Sequence, residues 1–211
     1  MFVLATFKRT VRVSPLKFHL KHDTAIEEEL NGEYADKVVH KVGLGVALWQ
    51  LKQCGESFIL PGDGAYYVKV TFDYVMFRPF VNSILIGRIK SASRESVQIT
   101  MGFFDDITIP AEYLQTNSIF CDQLQTWLWQ VDVDGQQHQL PMEFDQEIRF
   151  RVVAEKFTDT SPTGPSDGPS DGPSDGPSRS LARPEDEPKV PYLITAAINE
   201  DGLGLLSWWT Q

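Results

Sequence analysis

Several stretches of this 211-residue sequence hold residue types that do chemistry when they are brought together. His19-Leu20-Lys21-His22 places two imidazoles close in the chain. A metal site needs three or four ligands, and no cysteine, carboxylate or third histidine stands at a metal-type spacing from this pair. Surface histidines ahead of a helix are the simpler reading. Asp132-Val133-Asp134-Gly135 opens like a calcium loop but lacks the downstream acidic ligand, and Asp-Gly is also a strong signal for a tight hairpin turn. Pro61-Gly62-Asp63-Gly64 is glycine-rich, yet it lacks the Lys-Ser/Thr ending of a phosphate loop. It reads as a turn whose glycines take positive φ, with a binding loop as the alternative. No serine, cysteine or histidine stands in a nucleophile motif, so neither catalysis nor a cofactor is expected. Cys54 and Cys121 lie far apart and read as buried thiols of a reducing compartment rather than a disulfide.

Binding chemistry is the stronger prospect. Lys and Arg total 19 against 29 Asp and Glu, a net charge of −10. An overall field of that sign repels nucleic acid, so any phosphate contact must come from a local patch. Arg88, Lys90, Arg94, Arg149 and Arg151 alternate along predicted strands and are candidates for a modest basic stripe that contacts single-stranded RNA. A solvated strand face is the alternative. Contact of this kind is weak, salt-sensitive and indifferent to sequence. The apolar run from Met1 to Val13 carries Lys8, Arg9 and Arg12, which argues against a signal peptide or a membrane span. A soluble intracellular protein is expected.

The elements that would position these residues follow from patterning. Phe2 to Val13 alternates as a strand, and Ser14-Pro15 ends it. Thr24-Ala25-Ile26-Glu27 is a capping box that predicts a helix to about Tyr34, with Ile26 and Leu30 on one face. Gly43 to Trp49 predicts a strand, Leu60 to Ala65 a turn, and Tyr66 to Phe77 a long strand. Phe77-Arg78-Pro79-Phe80 then breaks the pattern, because proline cannot donate to a sheet ladder. Beyond it, Ile84 to Lys90 turns Ile84, Ile86 and Arg88 to one side and Leu85 and Ile89 to the other. A strand through Val97, Ile99 and Met101 follows, and after the bend at Gly102-Phe103-Phe104 another runs from Ile107 to Pro110. Such a meander begins a curled barrel of the OB type. Thr126 to Asp132, Gln146 to Phe157 and Tyr192 to Ile198 supply further strands. Between the last two, Pro-Ser-Asp-Gly occurs three times from Pro165 to Gly176, a tract with nothing apolar to bury. The fold class expected is α+β: an α+β domain over 1–80, then an OB barrel over 81–211 that carries a disordered insertion at 159–190.

These residues carry a resemblance. Leu60 to Ala65, Phe77-Arg78-Pro79-Phe80 and Gly87 resemble the larger stalk subunit of archaeal and eukaryotic RNA polymerases. Gly102-Phe103-Phe104-Asp105-Asp106-Ile107, Thr158 to Gly164 and Gly202-Leu203-Gly204-Leu205-Leu206-Ser207-Trp208-Trp209-Thr210 are similar to its RNA polymerase III members in particular. The resemblance covers the chain except the Pro-Ser-Asp-Gly repeat. It implies an N-terminal domain of truncated ribonucleoprotein type, a C-terminal OB barrel, a smaller stalk partner and docking on the RNA polymerase III core. It further implies a nuclear location, a part in transcription initiation and a path close to emerging RNA. On that footing Pro61, Gly62, Asp63 and Gly64, with Phe77, Pro79 and Phe80, are candidate partner positions expected between the two domains. In OB domains of the ribosomal-protein kind, stacking aromatics sit where Glu95 and Gln98 stand here, and a histidine where Ile109 stands, so base stacking is not expected there. A free-standing OB-type RNA-binding factor and the equivalent subunit of another nuclear polymerase are the other readings.

Ser161-Pro162 is a candidate proline-directed phosphorylation site. Because the repeats offer almost nothing to bury, deleting all three should shift the melting temperature by less than about 2 °C in calorimetry. A large drop would show that the tract packs on the fold.

Overall fold

The computed structural model describes residues 1–133, 136–160 and 190–209. Asp134-Gly135, the Pro-Ser-Asp-Gly repeats and Ser161-Pro162 lie outside them. The N-terminal unit is a four-stranded sheet of order β1-β4-β3-β2, built from β1 (Phe2–Val13), β2 (Val38–Val39), β3 (Gly43–Ile59) and β4 (Tyr66–Phe77). β1 and β4 pair antiparallel over their whole lengths, from Phe2 opposite Phe77 to Val13 opposite Tyr66. Strict alternation then separates two faces. Val11, Val13, Val68, Val70, Phe72, Tyr74 and Met76 are buried beneath α1 (His22–Tyr34), which contributes Ala25, Ile26 and Leu30. Each large side chain so buried is worth about 1.5–3 kcal/mol. Asn31 on the helix fixes the stacking, its Oδ1 accepting from the Tyr74 hydroxyl and the Leu48 amide at 3.1 Å each. The other face has no helix over it.

The C-terminal unit closes on itself. β5 (Ile84–Ala92), β6 (Ser96–Thr100) and β7 (Ile107–Pro110) form the expected meander, while β11 (Glu147–Phe157) flanks β5. β12 (Tyr192–Ala197) pairs parallel with β7 and antiparallel with β11, which completes a five-stranded barrel. Leu85, Ile89, Val97, Ile99, Ile107, Ile109, Ile148, Phe150, Val152 and Ile194 fill it. A separate sheet of β8 (Ser118–Cys121), β9 (Thr126–Val133) and β10 (Gln136–Pro141) is inserted before β11. Aromatic rings fasten this sheet to the chain's end: Trp129 lies 4.7 Å from Trp208 and 6.3 Å from Trp209 between ring centroids. Short β13 (Gly204–Leu205) pairs with β11 beside them.

Four expectations need correction. The helix starts at His22, two residues before Thr24; Lys21 is its N-cap and no side chain caps it. Packing overrides the capping box, since the His22 ring stacks on Tyr66 at 5.5 Å. β3 continues ten residues past Trp49 to Ile59, following β4 through four register shifts. Cys54 is exposed on this bulged strand and Cys121 is half-buried, so neither is a buried core thiol. Finally, the turn at Pro61 to Gly64 lies beside Val13 and Tyr66, at the opposite end of the sheet from Phe77. Twelve extended residues place it about 40 Å from the joint rather than between the two units.

Gly204 shows how tightly the terminal segment is set. It holds φ at +104°, and a Cβ there would meet the Trp208 ring at 2.5 Å. Gly202, at φ +81°, has open space around it. In urea unfolding, Gly202→Ala should cost about 1–2 kcal/mol from backbone strain alone. Gly204→Ala should cost a further 1–3 kcal/mol or so from displaced packing. Equal losses would show that Trp208 is free to swing aside.

Candidate partner and nucleic-acid surfaces

The joint between the units is assembled from residues that the chain brings from six places. The Phe77 ring meets Phe103 edge-on at 4.9 Å and Phe104 at 5.3 Å; Phe2 adds contacts to Phe77 and Phe103 at 5.7 and 6.1 Å. Phe104 continues to Tyr192 at 5.4 Å, and Tyr192 stacks flat on Phe157 at 4.3 Å. Over this row lies Arg78, its guanidinium 5.6 Å from the Phe157 centroid. Arg78 donates to both oxygens of Glu155 and, at 2.9 Å, to the Lys41 carbonyl. The Tyr192 hydroxyl also donates to Glu155, at 3.3 Å. Burial beside that carboxylate pushes the Tyr192 phenol above its ordinary value. Pro79 is buried in the joint, whereas Phe80 is 60% exposed. The sequence pattern places Phe77 and Pro79 at the joint but shows only a bend in Gly102-Phe103-Phe104; two adjacent phenylalanines in a loop were the available signal.

Next to the joint, Phe2, Leu44, Gly45, Val46 and Phe103 line an apolar hollow of about 410 Å³. Phe2, Leu4, Val46 and Phe103 remain exposed around it. A second apolar patch sits at the far end of the sheet, where Leu16, Phe18, Phe58, Ile59 and Leu60 are exposed. There Arg12 donates to both oxygens of Asp63, at 2.6 and 2.9 Å, and Tyr67 donates to the same carboxylate at 2.5 Å. These donors hold the Asp63 carboxyl down at about 2. Gly62 and Gly64 take φ of +94° and +71°, as the sequence requires of them. The arrangement is a stiffened turn presenting apolar side chains, with no phosphate cradle.

The expected basic stripe on the barrel is not one surface of free cations. Arg88, Arg149 and Arg151 do share the outer face of β5 and β11, with Arg149 opposite Ile86 and Arg151 opposite Ile84. However, Arg88 pairs with Asp145 and Glu147, Lys90 with Asp105, Arg94 with Asp122 and Arg151 with Glu200. Arg149 donates to the Gly202 carbonyl at 3.4 Å. Sequence spacing could not show this, because the acids come from other segments, 15 to 59 residues further along the chain. Glu95 and Gln98 are exposed, but Ile109 points into the barrel core and offers nothing to a ligand. Among the described residues no group of three His, Cys, Asp or Glu side chains could hold a metal ion.

The open face of the N-terminal sheet has a different character. β1 presents Thr6, Lys8, Thr10 and Arg12, and β4 presents Asp73, Thr71, Lys69 and Tyr67 opposite them. Asp73 is almost fully enclosed and accepts from Lys52 at 2.7 Å, Thr6 at 2.6 Å and Gln50 at 3.0 Å. Those bonds, led by that from Lys52, hold its carboxyl at about 2.

Two units of this kind, an N-terminal α+β sheet and a closed barrel, define a class. Residues 8–64 match the model of the SHS2 domain found in the N terminus of Rpb7p/Rpc25p/MJ0397. The fold is thus that of the Rpb7-type stalk subunits of RNA polymerase. Residues 83–209 match the model of RNA polymerase III subunit Rpc25, and the chain belongs to that family. It is 45% identical over 213 residues to DNA-directed RNA polymerase III subunit RPC8 of Bos taurus, an alignment that covers both chains completely. The corresponding Schizosaccharomyces pombe subunit is 33% identical over 99% of this chain and 100% of its own. Subunit Rpo7 of the Sulfolobus acidocaldarius polymerase is more distant, 28% identical over 57% of this chain and 66% of its own.

The Asp73 cluster sets a pH dependence. Its carboxyl lies below its ordinary value in the folded protein, so the stabilisation is complete above about pH 4 and fades as pH falls toward 2. Asp73→Asn should therefore unfold at lower urea than the parent protein at pH 6, and the gap should close as pH approaches 2. A gap that stays constant over that range would place the effect elsewhere.

Proposed function

We propose that this chain is the larger, non-catalytic stalk subunit of a nuclear RNA polymerase III. It pairs with a smaller stalk subunit, docks peripherally on the polymerase core, supports transcription initiation and touches emerging RNA. The observation that carries this reading is the pair of exposed apolar patches at opposite ends of one stiff sheet, in a chain of the Rpc25 family. Patches of this sort on an otherwise charged protein mark contact with other proteins. The hollow beside the joint, walled by Phe2, Val46 and Phe103, suits a partner that spans both units. The turn patch of Leu16, Ile59 and Leu60 projects away from the barrel and suits insertion into the core. Pro61, Gly62, Asp63 and Gly64 then act by shaping that projecting turn, while Phe77, Pro79 and Phe80 act at the joint.

Tagged variants in cells separate the two contacts. Phe103→Glu should lose the small partner from affinity-purified material. Ile59→Asp and Gly62→Val should retain the small partner and lose the core subunits, since a β-branched residue fits positive φ poorly. Recovery of the whole polymerase at parental yield with all three variants would refute the assignment.

A further inference from the structure

Lys8, Thr10, Gln53, Gly55, Lys69 and Thr71 line a hollow of about 420 Å³ on the open face of the N-terminal sheet. In the β1–β4 register Lys8 faces Thr71 and Thr10 faces Lys69, so the two lysines occupy diagonal corners of one four-residue square. Diagonal neighbours of this kind stand about 7–8 Å apart. Both are exposed, and among the described residues neither has an acidic partner. Two acids of this sheet are already engaged, Asp63 by Arg12 and Asp73 by Lys52, while Glu56 stands exposed in the β3 bulge beside Lys69. In a chain of net charge −10 this is a local excess of positive charge with two hydroxyl donors set between the ammonium groups. Tyr67 lies two residues before Lys69 on the same face and stacks with Phe58 at 5.8 Å and 19°, leaving the Phe58 ring 43% exposed.

We propose that this face is a binding site for the sugar–phosphate backbone of a single RNA strand, with Lys8 and Lys69 on adjacent phosphates and Phe58 under a base. The inference rests on the reading that this protein touches RNA, and it moves that contact from the barrel to the N-terminal sheet. Charge and wall chemistry select the occupant. A protein partner draws its affinity from apolar anchors in desolvated pockets, whereas Lys8, Thr10, Gln53, Lys69 and Thr71 bring ammonium, hydroxyl and amide groups to this hollow beside Gly55 and Val70. A polyanion draws its affinity from such cations and from counterion release, and neighbouring aromatics accept bases of any identity.

The test uses the full chain and a fluorescent single-stranded RNA of mixed sequence, titrated by anisotropy from low to moderate salt. Lys8→Ala with Lys69→Ala should weaken binding and flatten the log–log salt slope by about 1.4, two contacts at roughly 0.7 each. Lys8→Arg with Lys69→Arg should keep the parental slope. The melting temperature of the alanine pair should stay near the parental value, because both side chains are exposed. Arg88→Ala, Lys90→Ala and Arg94→Ala together should leave the slope nearly unchanged. RNA binding lost in that triple variant but intact in the lysine pair would return the contact to the barrel and overturn the inference alone. No RNA binding by the parent at low salt would overturn both the inference and the RNA reading. A poly-glutamate peptide that outcompetes the RNA would make the occupant an acidic protein segment and overturn the assignment.

Discussion

The contact between Arg78 and Glu155 ties the residue just after β4 to barrel strand β11, at the joint where the two units meet. Its energy is modest. Partly exposed ion pairs are worth roughly 0–1 kcal/mol, even when bidentate geometry adds some. The row of rings beneath it contributes more. Contacts among Phe2, Phe77, Phe103, Phe104, Tyr192 and Phe157 run without a gap from the first strand to the last barrel strand. Each such pair adds about 0.5–1.5 kcal/mol beyond burial of its area. The rings supply cohesion, while the fork of Arg78, held on Glu155 and the Lys41 carbonyl, fixes the angle. A surface assembled from both units keeps one shape only while that angle is kept.

Much of this was legible in the residues. Period-two alternation in Phe2 to Val13 and Tyr66 to Phe77 placed both strands to the residue, because one face of β4 is buried from Val68 to Met76 and the same face of β1 is buried at Val11 and Val13. The same logic predicted a strand over Gln146 to Phe157, and its Ile148, Phe150 and Val152 fill the barrel. It failed for β3. There Gly45, Gly55 and four register shifts erase the period, and pairing with β4 rather than local preference extends the strand. It failed again at Thr24, where a sound capping box lost to the packing of His22 on Tyr66. The Gly102-Phe103-Phe104 bend looked like punctuation because a loop phenylalanine announces its partner only in three dimensions.

The charged residues teach a similar lesson. Arg88, Lys90 and Arg94 alternate convincingly along the chain, but Asp145, Asp105 and Asp122 from loops and Glu147 from the start of β11 absorb them. In an acidic protein most cations find a carboxylate on folding, so spacing alone overstates any basic surface. What matters is the excess left after pairing. On the N-terminal sheet that excess survives because strand register, not loop geometry, decides the neighbours. Thr10 and Thr71, not acids, stand opposite Lys69 and Lys8.

Register also explains where the chain can take up extra length. Residues 161–189 fall between β11 and β12, whose ends are already held together by the Phe157–Tyr192 pair and by the Thr158 amide donating to the Pro191 carbonyl at 3.0 Å. The closure cost of a loop rises only logarithmically, by about 0.6 kcal/mol per doubling of its length. Adding or losing one four-residue Pro-Ser-Asp-Gly unit therefore changes that cost by a small fraction of 1 kcal/mol. The buried pairing of Val152 with Ala196, further along the same two strands, is untouched by such a change. A tract placed in the β5–β6 turn would meet a different constraint. The Trp127 indole donates to the Ser93 carbonyl there at 2.8 Å, and the Ser93 amide donates to Ser96 at the same distance. Lengthening that turn would pull apart the bond that seats the inserted sheet on the barrel. The repeat thus occupies a connection whose ends the sheet clamps.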